Sequence, residues 1–228
     1  MALNIPLGMF VKLHKLAKLN FSMAHSVTSI RTKNSDSTRT LLLNAALEEI
    51  QEHGFQAASL EQILSRTGLT KGALYHHFKN KRELGYSVVD ELIRQDIETH
   101  WIEPLAATSD PIDTLTQLMM QAREDVVQCQ SFGCPLINLG QEMSNLDEGF
   151  RERIEAIYTL WMESISSALL RGQYEGKVKR HVAPDQVASF FVAAAEGILA
   201  VGKVMRSHEV TMNSAFAVLQ YLNSLRQS

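Results

Sequence analysis

Apolar residues recur along most of this chain at the three- and four-residue spacing of helices, and no alternating run of useful length suggests a strand. Leu42, Ala45, Ala46 and Ile50 form one such stripe, with Glu48, Glu49 and Glu52 outside it, and Gly54 closes the helix that begins at Thr40. Ser59 followed by Gln62 is a capping-box spacing, so a second helix starts at Leu60, buries Leu60, Ile63 and Leu64, and stops at Thr67-Gly68. Leu69 then points inward. Thr70 caps a third helix, Lys71 to Phe78, whose buried side is Leu74 and Phe78 and whose outer side is Lys71, Tyr75 and His76. Asn80 with Glu83 repeats the capping spacing and opens a long helix through about Trp101, with Leu84, Val88, Leu92 and Ile97 inward. Pro104 and Thr108-Ser109-Asp110-Pro111 mark its break. Helical patterns follow over Ile112 to Gln128, Pro135 to Ser144, Glu148 to Gln173, Pro184 to about Ser207 and Thr211 to Arg226.

The fold class is therefore all-α. A three-helix unit with a helix–turn–helix occupies residues 37–83, a helical bundle residues 84–228, and a basic extension residues 1–36. The third helix is suited to duplex DNA. Gly72 and Ala73 let backbone approach the groove floor, Lys71, Tyr75, His76 and His77 supply hydrogen-bonding groups, and the helix start favours phosphate. Across residues 59–82, Arg66, Lys71, Lys79, Lys81 and Arg82 face Glu61 as the sole acid, the charge balance of a phosphate-binding face.

The string Gly68-Leu69-Thr70-Lys71-Gly72-Ala73-Leu74-Tyr75-His76-His77-Phe78-Lys79-Asn80-Lys81 closely resembles the recognition segment of the TetR family of bacterial transcriptional regulators. The helix ending in Gly54-Phe55 resembles that family's first helix and its exit, and the likeness is strong over residues 38–83 and weak beyond. The resemblance implies that Lys71, Gly72 and Ala73 approach bases, that Tyr75 and His76 meet phosphate or base edges with His77 beside them, and that Lys81 takes phosphate. Ser59, Glu61 and the cap Thr70 complete the expected DNA-binding set. Partial packing beneath the motif is the alternative for Tyr75 and His77.

Composition sharpens this picture. Residues 1–83 carry 11 Lys and Arg against 6 Asp and Glu, and the remainder 11 against 19, so a basic front precedes an acidic back. Two cysteines, Cys129 and Cys134, make neither a disulfide framework nor a zinc site and fit a reducing cytoplasm. Phe190 to Val201 is short and interrupted by Glu196, which argues against a membrane span. Lys12, Lys15 and Lys18 argue against a signal peptide. The first 22 residues read as a mobile extension or a basic amphipathic helix, with Met23 an alternative start. Residues 25–37 read as a flexible arm whose Arg31 and Lys33 can touch DNA.

The penultimate helix is apolar nearly all round and must be covered on more than one side. A two-fold homodimer through the last two helices answers that need, and the TetR resemblance implies the same four-helix interface, hence a palindromic operator. The resemblance also implies a small-molecule pocket, for which His100, Trp101, Met119, Met120, Tyr158, Trp161 and Met162 are candidates, with plain core as the alternative for each. Cys134 stands at a helix entrance, where the dipole favours thiolate and Cys129 is close enough in sequence to resolve it; a structural cysteine is the alternative. The run from Gly133-Cys134 to Glu142 resembles a subgroup of these regulators, some of which sense electrophiles through a cysteine.

The expectation is a ligand- or redox-responsive repressor bound to double-stranded DNA and released by a small-molecule or electrophile inducer, with no cofactor, metal or membrane. The alternatives are an activator of the same fold or a cysteine-dependent enzyme. Catalysis is not expected, because no third group orients a base for Cys134 and no phosphate loop or HExxH run is present.

Overall fold

The computed structural model describes residues 30–129 and 133–227, with side chains described for 36–121 and 133–227. Its helices are α1 (Ile30–His53), α2 (Leu60–Thr67), α3 (Lys71–His77), α4 (81–107), α5 (Pro111–Cys129), α6 (Pro135–Met143), α7 (Glu148–Tyr174), α8 (Pro184–Met205) and α9 (His208–Ser224). Among the described residues there is no strand, only an isolated bridge between Val178 and Arg226. Residues 1–29, which hold most of the expected extension and arm, and the side chains of Arg31 and Lys33 lie outside the described residues. Helix α1 begins at Ile30 rather than near Ser37, so the end of the expected arm is helical.

The head is built as the caps foretell. Ser59 Oγ accepts from the N–H groups of Glu61 at 3.2 Å and Gln62 at 3.5 Å, and Thr70 Oγ1 accepts from Ala73 N at 3.2 Å. Asn80 Oδ1 accepts from Glu83 N at 2.9 Å. Gly68 takes the left-handed conformation, φ 68°, that ends α2 and turns the chain toward α3. One half of the expected capping box is replaced. The N–H of Ser59 goes to Glu49 Oε1 at 3.1 Å, not to Gln62, and Glu49 is 1% exposed, not on the outer face. A buried carboxylate needs partners, and Arg66 supplies the charge, pairing with Glu49 at 3.1 Å and with Glu52 as well.

Helix α4 is continuous to Ala107 and carries two wide π segments, Val88–Ile93 and Glu98–Ile102. The first advances the buried stripe by one residue, so Val89, Ile93, Ile97, Trp101 and Leu105 face the core while Leu92 is only partly covered. The second lies directly before Pro104. A proline inside a helix lacks an N–H and crowds the preceding turn, and the widened turn there accommodates it, which is why the helix passes the expected break at Pro104 and ends at Thr108.

Head and body meet around aromatic rings. Phe55 from the α1–α2 turn packs edge-on against Phe150 of α7 at 4.6 Å, and Tyr86 meets the same ring at 5.0 Å. Gly85 sits between them, where a Cβ would strike the Phe55 ring and come within 2.7 Å of Phe150. Tyr86 donates to Asp147 at 2.5 Å, and Asp147 also caps α7 and pairs with Arg82 at 3.1 Å. Behind this joint α7 lies on α8, α8 on α9, and α9 back on α5. By length and composition α8 is apolar enough to cross a membrane, yet it lies against α7 and α9 and turns the buried carboxylate of Glu196 into the bundle.

Candidate nucleic-acid interface and the core behind it

Helix α3 is anchored from below by Leu74, 1% exposed, and Phe78, 3% exposed, which pack on the head core with Ile63 and Leu42. Its other side faces outward: Lys71, Gly72, Tyr75 and His76 are exposed, and Ala73 and His77 are partly covered. Ser59, Glu61, Lys71 and Tyr75 line one open cleft between α2 and α3, so these predicted residues from two helices share a surface. Lys71 Nζ lies 3.7 Å from Glu61 Oε1, an exposed pair of small energetic weight. His77 lies edge-on to His76 at 5.1 Å, and its pKa is lowered by burial first and by the charges of His76 and Arg39 next, which favours the neutral ring.

The basic surface is smaller than the count of charges implies. Arg66 is turned into the Glu48, Glu49 and Glu52 cluster. Glu49, Glu52 and His53 bring potential ligand atoms within 4.8 Å of one another, but the Arg66 guanidinium already fills the carboxylates. Lys81 donates to the Gln56 carbonyl at 2.9 Å and lies 5.0 Å from the centre of the Phe55 ring. Burial lowers its pKa, although Glu142 and Glu49 act the other way.

Glu142, near the end of α6, is the partner that sequence reasoning did not find. Its two oxygens accept from Phe55 N and Gln56 N, each at 2.8 Å. Gly54, φ 80°, makes the approach feasible, since a Cβ there would lie 2.9 Å from Glu142 Oε2. One carboxylate of the body thus holds the exit of α1 in the head. The glycine-phenylalanine pair and the acid were both visible in the sequence; their separation along the chain hid the contact.

At the other end of α6 stands Cys134, its N-cap residue, 8% exposed. Cys134 Sγ lies 3.4 Å from Glu196 Oε1, and Tyr158 Oη donates to the same oxygen at 3.3 Å. The expected thiolate is not favoured. Burial first and the Glu196 charge next push the thiol well above its ordinary value, outweighing the N–H groups of Ile137 and Leu136 that act the other way. Burial likewise raises Glu196 to about 7 and raises Tyr158. The side chain of Cys129 lies outside the described residues.

Of the other predicted pocket residues, Trp101 packs against Trp161 at 4.8 Å and Phe191 at 6.0 Å. Met119 is buried, and Met120, Tyr158 and Met162 are partly covered. His100 is directed to Asp96 on its own helix at 2.9 Å. Among the described residues two buried polar atoms, Glu196 Oε2 and Trp161 Nε1, have no hydrogen-bond partner. Glu196 was legible only as an interruption of an apolar helix, because its partners come from α6 and α7.

Comparison with known proteins follows the same division into head and body. The head matches the description "Bacterial regulatory proteins, tetR family" over residues 42–85, and the body matches "Tetracyclin repressor-like, C-terminal domain" over residues 111–217. The chain is 26% identical to the HTH-type transcriptional repressor DhaR of Mycobacterium sp. (strain GP1) over 75% of its own length and 85% of that protein. It is 26% identical to the transcriptional regulator AcuR of Cereibacter sphaeroides over 72% of this chain and 75% of that one. A crystal structure of a TetR transcriptional regulator from Chloroflexus aurantiacus superposes with a TM-score of 0.78 at 22% identity, covering 86% of this chain and 100% of the other. With a head that matches one tetR-type model and a body that matches another, the chain belongs to the tetR family of bacterial regulatory proteins as a DNA-binding transcriptional regulator.

Proposed function

We propose that this regulator is a cytoplasmic, homodimeric repressor that reads a palindromic operator with α3 of each copy and lets go when a small inducer, an electrophile at Cys134 among them, acts on the body. The observation that carries the reading is the two-sided α3: Leu74 and Phe78 buried beneath it, Lys71, Gly72, Tyr75 and His76 open above. In this arrangement Lys71, Gly72 and Ala73 approach the base edges, Tyr75 and His76 reach phosphate or base, His77 lies alongside, and Ser59 and Glu61 extend the contact from α2. Two-fold pairing is supported by apolar residues left open on the last two helices, with Val204 80% exposed and Phe190, Val201, Met205 and Phe216 also exposed.

Lys81 uses one of its three donors on Gln56 and keeps two for phosphate. Replacing it by alanine is expected to weaken binding to every DNA sequence alike and to lower the slope of log K against log salt by about 0.9, the value of one phosphate contact. An unchanged slope in a fluorescence-anisotropy salt titration removes Lys81 from the phosphate set.

The regulatory reading is tested by gel shift on the DNA upstream of the protein's own gene, with and without N-ethylmaleimide. The wild-type complex is expected to dissociate on treatment and the Cys134→Ser complex to persist. Equal responses of the two proteins contradict the sensor assignment.

A further inference from the structure

Cys134 and Glu196, both buried, form a polar cluster with the partly covered Tyr158. Glu196 is 3% exposed, on α8; its Oε1 receives the Cys134 thiol at 3.4 Å and the Tyr158 hydroxyl at 3.3 Å, while Oε2 has no partner among the described residues. Trp161, three residues beyond Tyr158 on α7 and 2% exposed, presents an indole N–H that is also unmet. Buried polar groups are nearly always paired, so two unmet ones in one core point to a partner that the described residues do not supply. Among the described residues no cation in this cluster assists the sulfur. The thiol stays protonated, so it needs a base before it can act as a nucleophile.

We infer that Glu196 is the proton acceptor that arms Cys134 toward small neutral α,β-unsaturated carbonyl compounds, with the Trp161 N–H, about one helical turn along α7 from Tyr158, available to a carbonyl oxygen. The inference rests on the electrophile-responsive reading above and names its reactant class and its base. In the step, the thiol proton passes to Glu196 Oε1 and the sulfur lone pair forms a bond to the β-carbon. The carbon–carbon π pair moves toward the carbonyl as an enolate, and the α-carbon then takes the proton back from the Glu196 carboxyl. The net change is addition of S–H across the double bond, with no oxidant and no leaving group.

The groups facing Glu196 from other helices, among the described residues, are Cys134 at the entrance of α6 and Tyr158 on α7. Lys203, further along α8, is directed to Asn138 at 3.4 Å. Glu196 is raised to about 7, chiefly by burial, so its basic form, and with it the alkylation rate, increases as pH rises through that value.

The test is the rate of N-ethylmaleimide addition to Cys134 in the intact protein, followed by mass spectrometry with peptide mapping to separate it from Cys129, between pH 5.5 and 8.5. The wild-type rate is expected to show an inflection near 7. Glu196→Gln is expected to react roughly 10- to 100-fold more slowly and to lose the inflection. A merely structural carboxylate predicts the opposite sign. Its charge raises the thiol pKa, so the neutral glutamine would speed the reaction, and an unchanged or faster rate overturns the inference. Tyr158→Phe provides the second arm: the tyrosine hydrogen bond lowers the Glu196 pKa, so its loss moves the inflection upward. An unmoved inflection in that protein overturns the assignment even if Glu196→Gln does not fold. Operator binding measured on the same adducts reads the regulatory claim separately. Glu196-dependent alkylation that leaves DNA binding intact keeps the base and removes the sensor.

Discussion

Gly72→Ala is expected to leave the fold intact and to abolish most operator affinity. The position is exposed on α3, and a Cβ there would meet only Thr70 Oγ1, at 3.7 Å. No described residue resists the methyl. Alanine is the better helix former by about 0.5–1 kcal/mol, so the thermal midpoint should hold or rise slightly. The cost falls wholly on docking. If the start of α3 lies against the groove floor, the added methyl pushes the helix outward and lengthens the contacts from Lys71 and Tyr75. A loss of at least about tenfold in affinity, or roughly 1.4 kcal/mol, follows. Differential scanning calorimetry and anisotropy on one preparation separate the two effects. Undiminished affinity would mean that this end of α3 does not approach DNA closely.

The second large effect is expected at the other end of the molecule's internal connection. Glu142→Ala removes the acceptor of the Phe55 and Gln56 N–H groups and leaves Lys81 with Glu49 as the remaining acid acting on it among the described residues. Hydrogen bonds to a charged group contribute about 1.5–3 kcal/mol each when well buried. Here one lies in a partly buried and one in an exposed setting, so the pair is worth about 2 kcal/mol in all, and denaturant midpoints should fall accordingly. Glu142→Gln keeps one good acceptor and should lose about half as much. The functional consequence follows from where α6 begins. Its first residue is preceded by Cys134 and its last turn holds the head, so a change at the thiol has a short rigid path to the exit of α1. With Glu142 removed, DNA affinity should drop and the remaining binding should no longer respond to modification of Cys134. A full response in Glu142→Ala would place the coupling elsewhere, with the Phe55, Tyr86 and Phe150 contact as the next route to examine.

These two sites also mark the boundary of what the sequence makes legible. The recognition unit depends on contacts between residues a few positions apart: Ser59, Thr70 and Asn80 cap the helices that follow them, Gly68 turns the chain, and Leu74 and Phe78 lie one turn apart on the buried side. Local spacing encodes all of that. The features that escaped depend on partners distant along the chain or on helical phase. Glu49 has the spacing of an outer residue and is buried because Ser59 and Arg66 meet it there. Leu92 has the spacing of an inner residue and is displaced because a π turn advances the stripe to Ile93. Cys134 has the position of an activated thiol, but Glu196 and burial reverse the effect of the helix start. Periodicity assigns a face; it does not say which opposing side chain will occupy it.

The claim on which the account depends is that two copies of α3 enter successive major grooves of one duplex. The most direct measurement is selection of bound fragments from a random double-stranded oligonucleotide pool, followed by sequencing. Enrichment of a two-fold symmetric site whose half-site centres lie about 34–36 Å apart, one helical turn, is expected, with loss of that enrichment in Gly72→Ala. Recovery of an asymmetric site, or of no site at all from a folded protein, would contradict it.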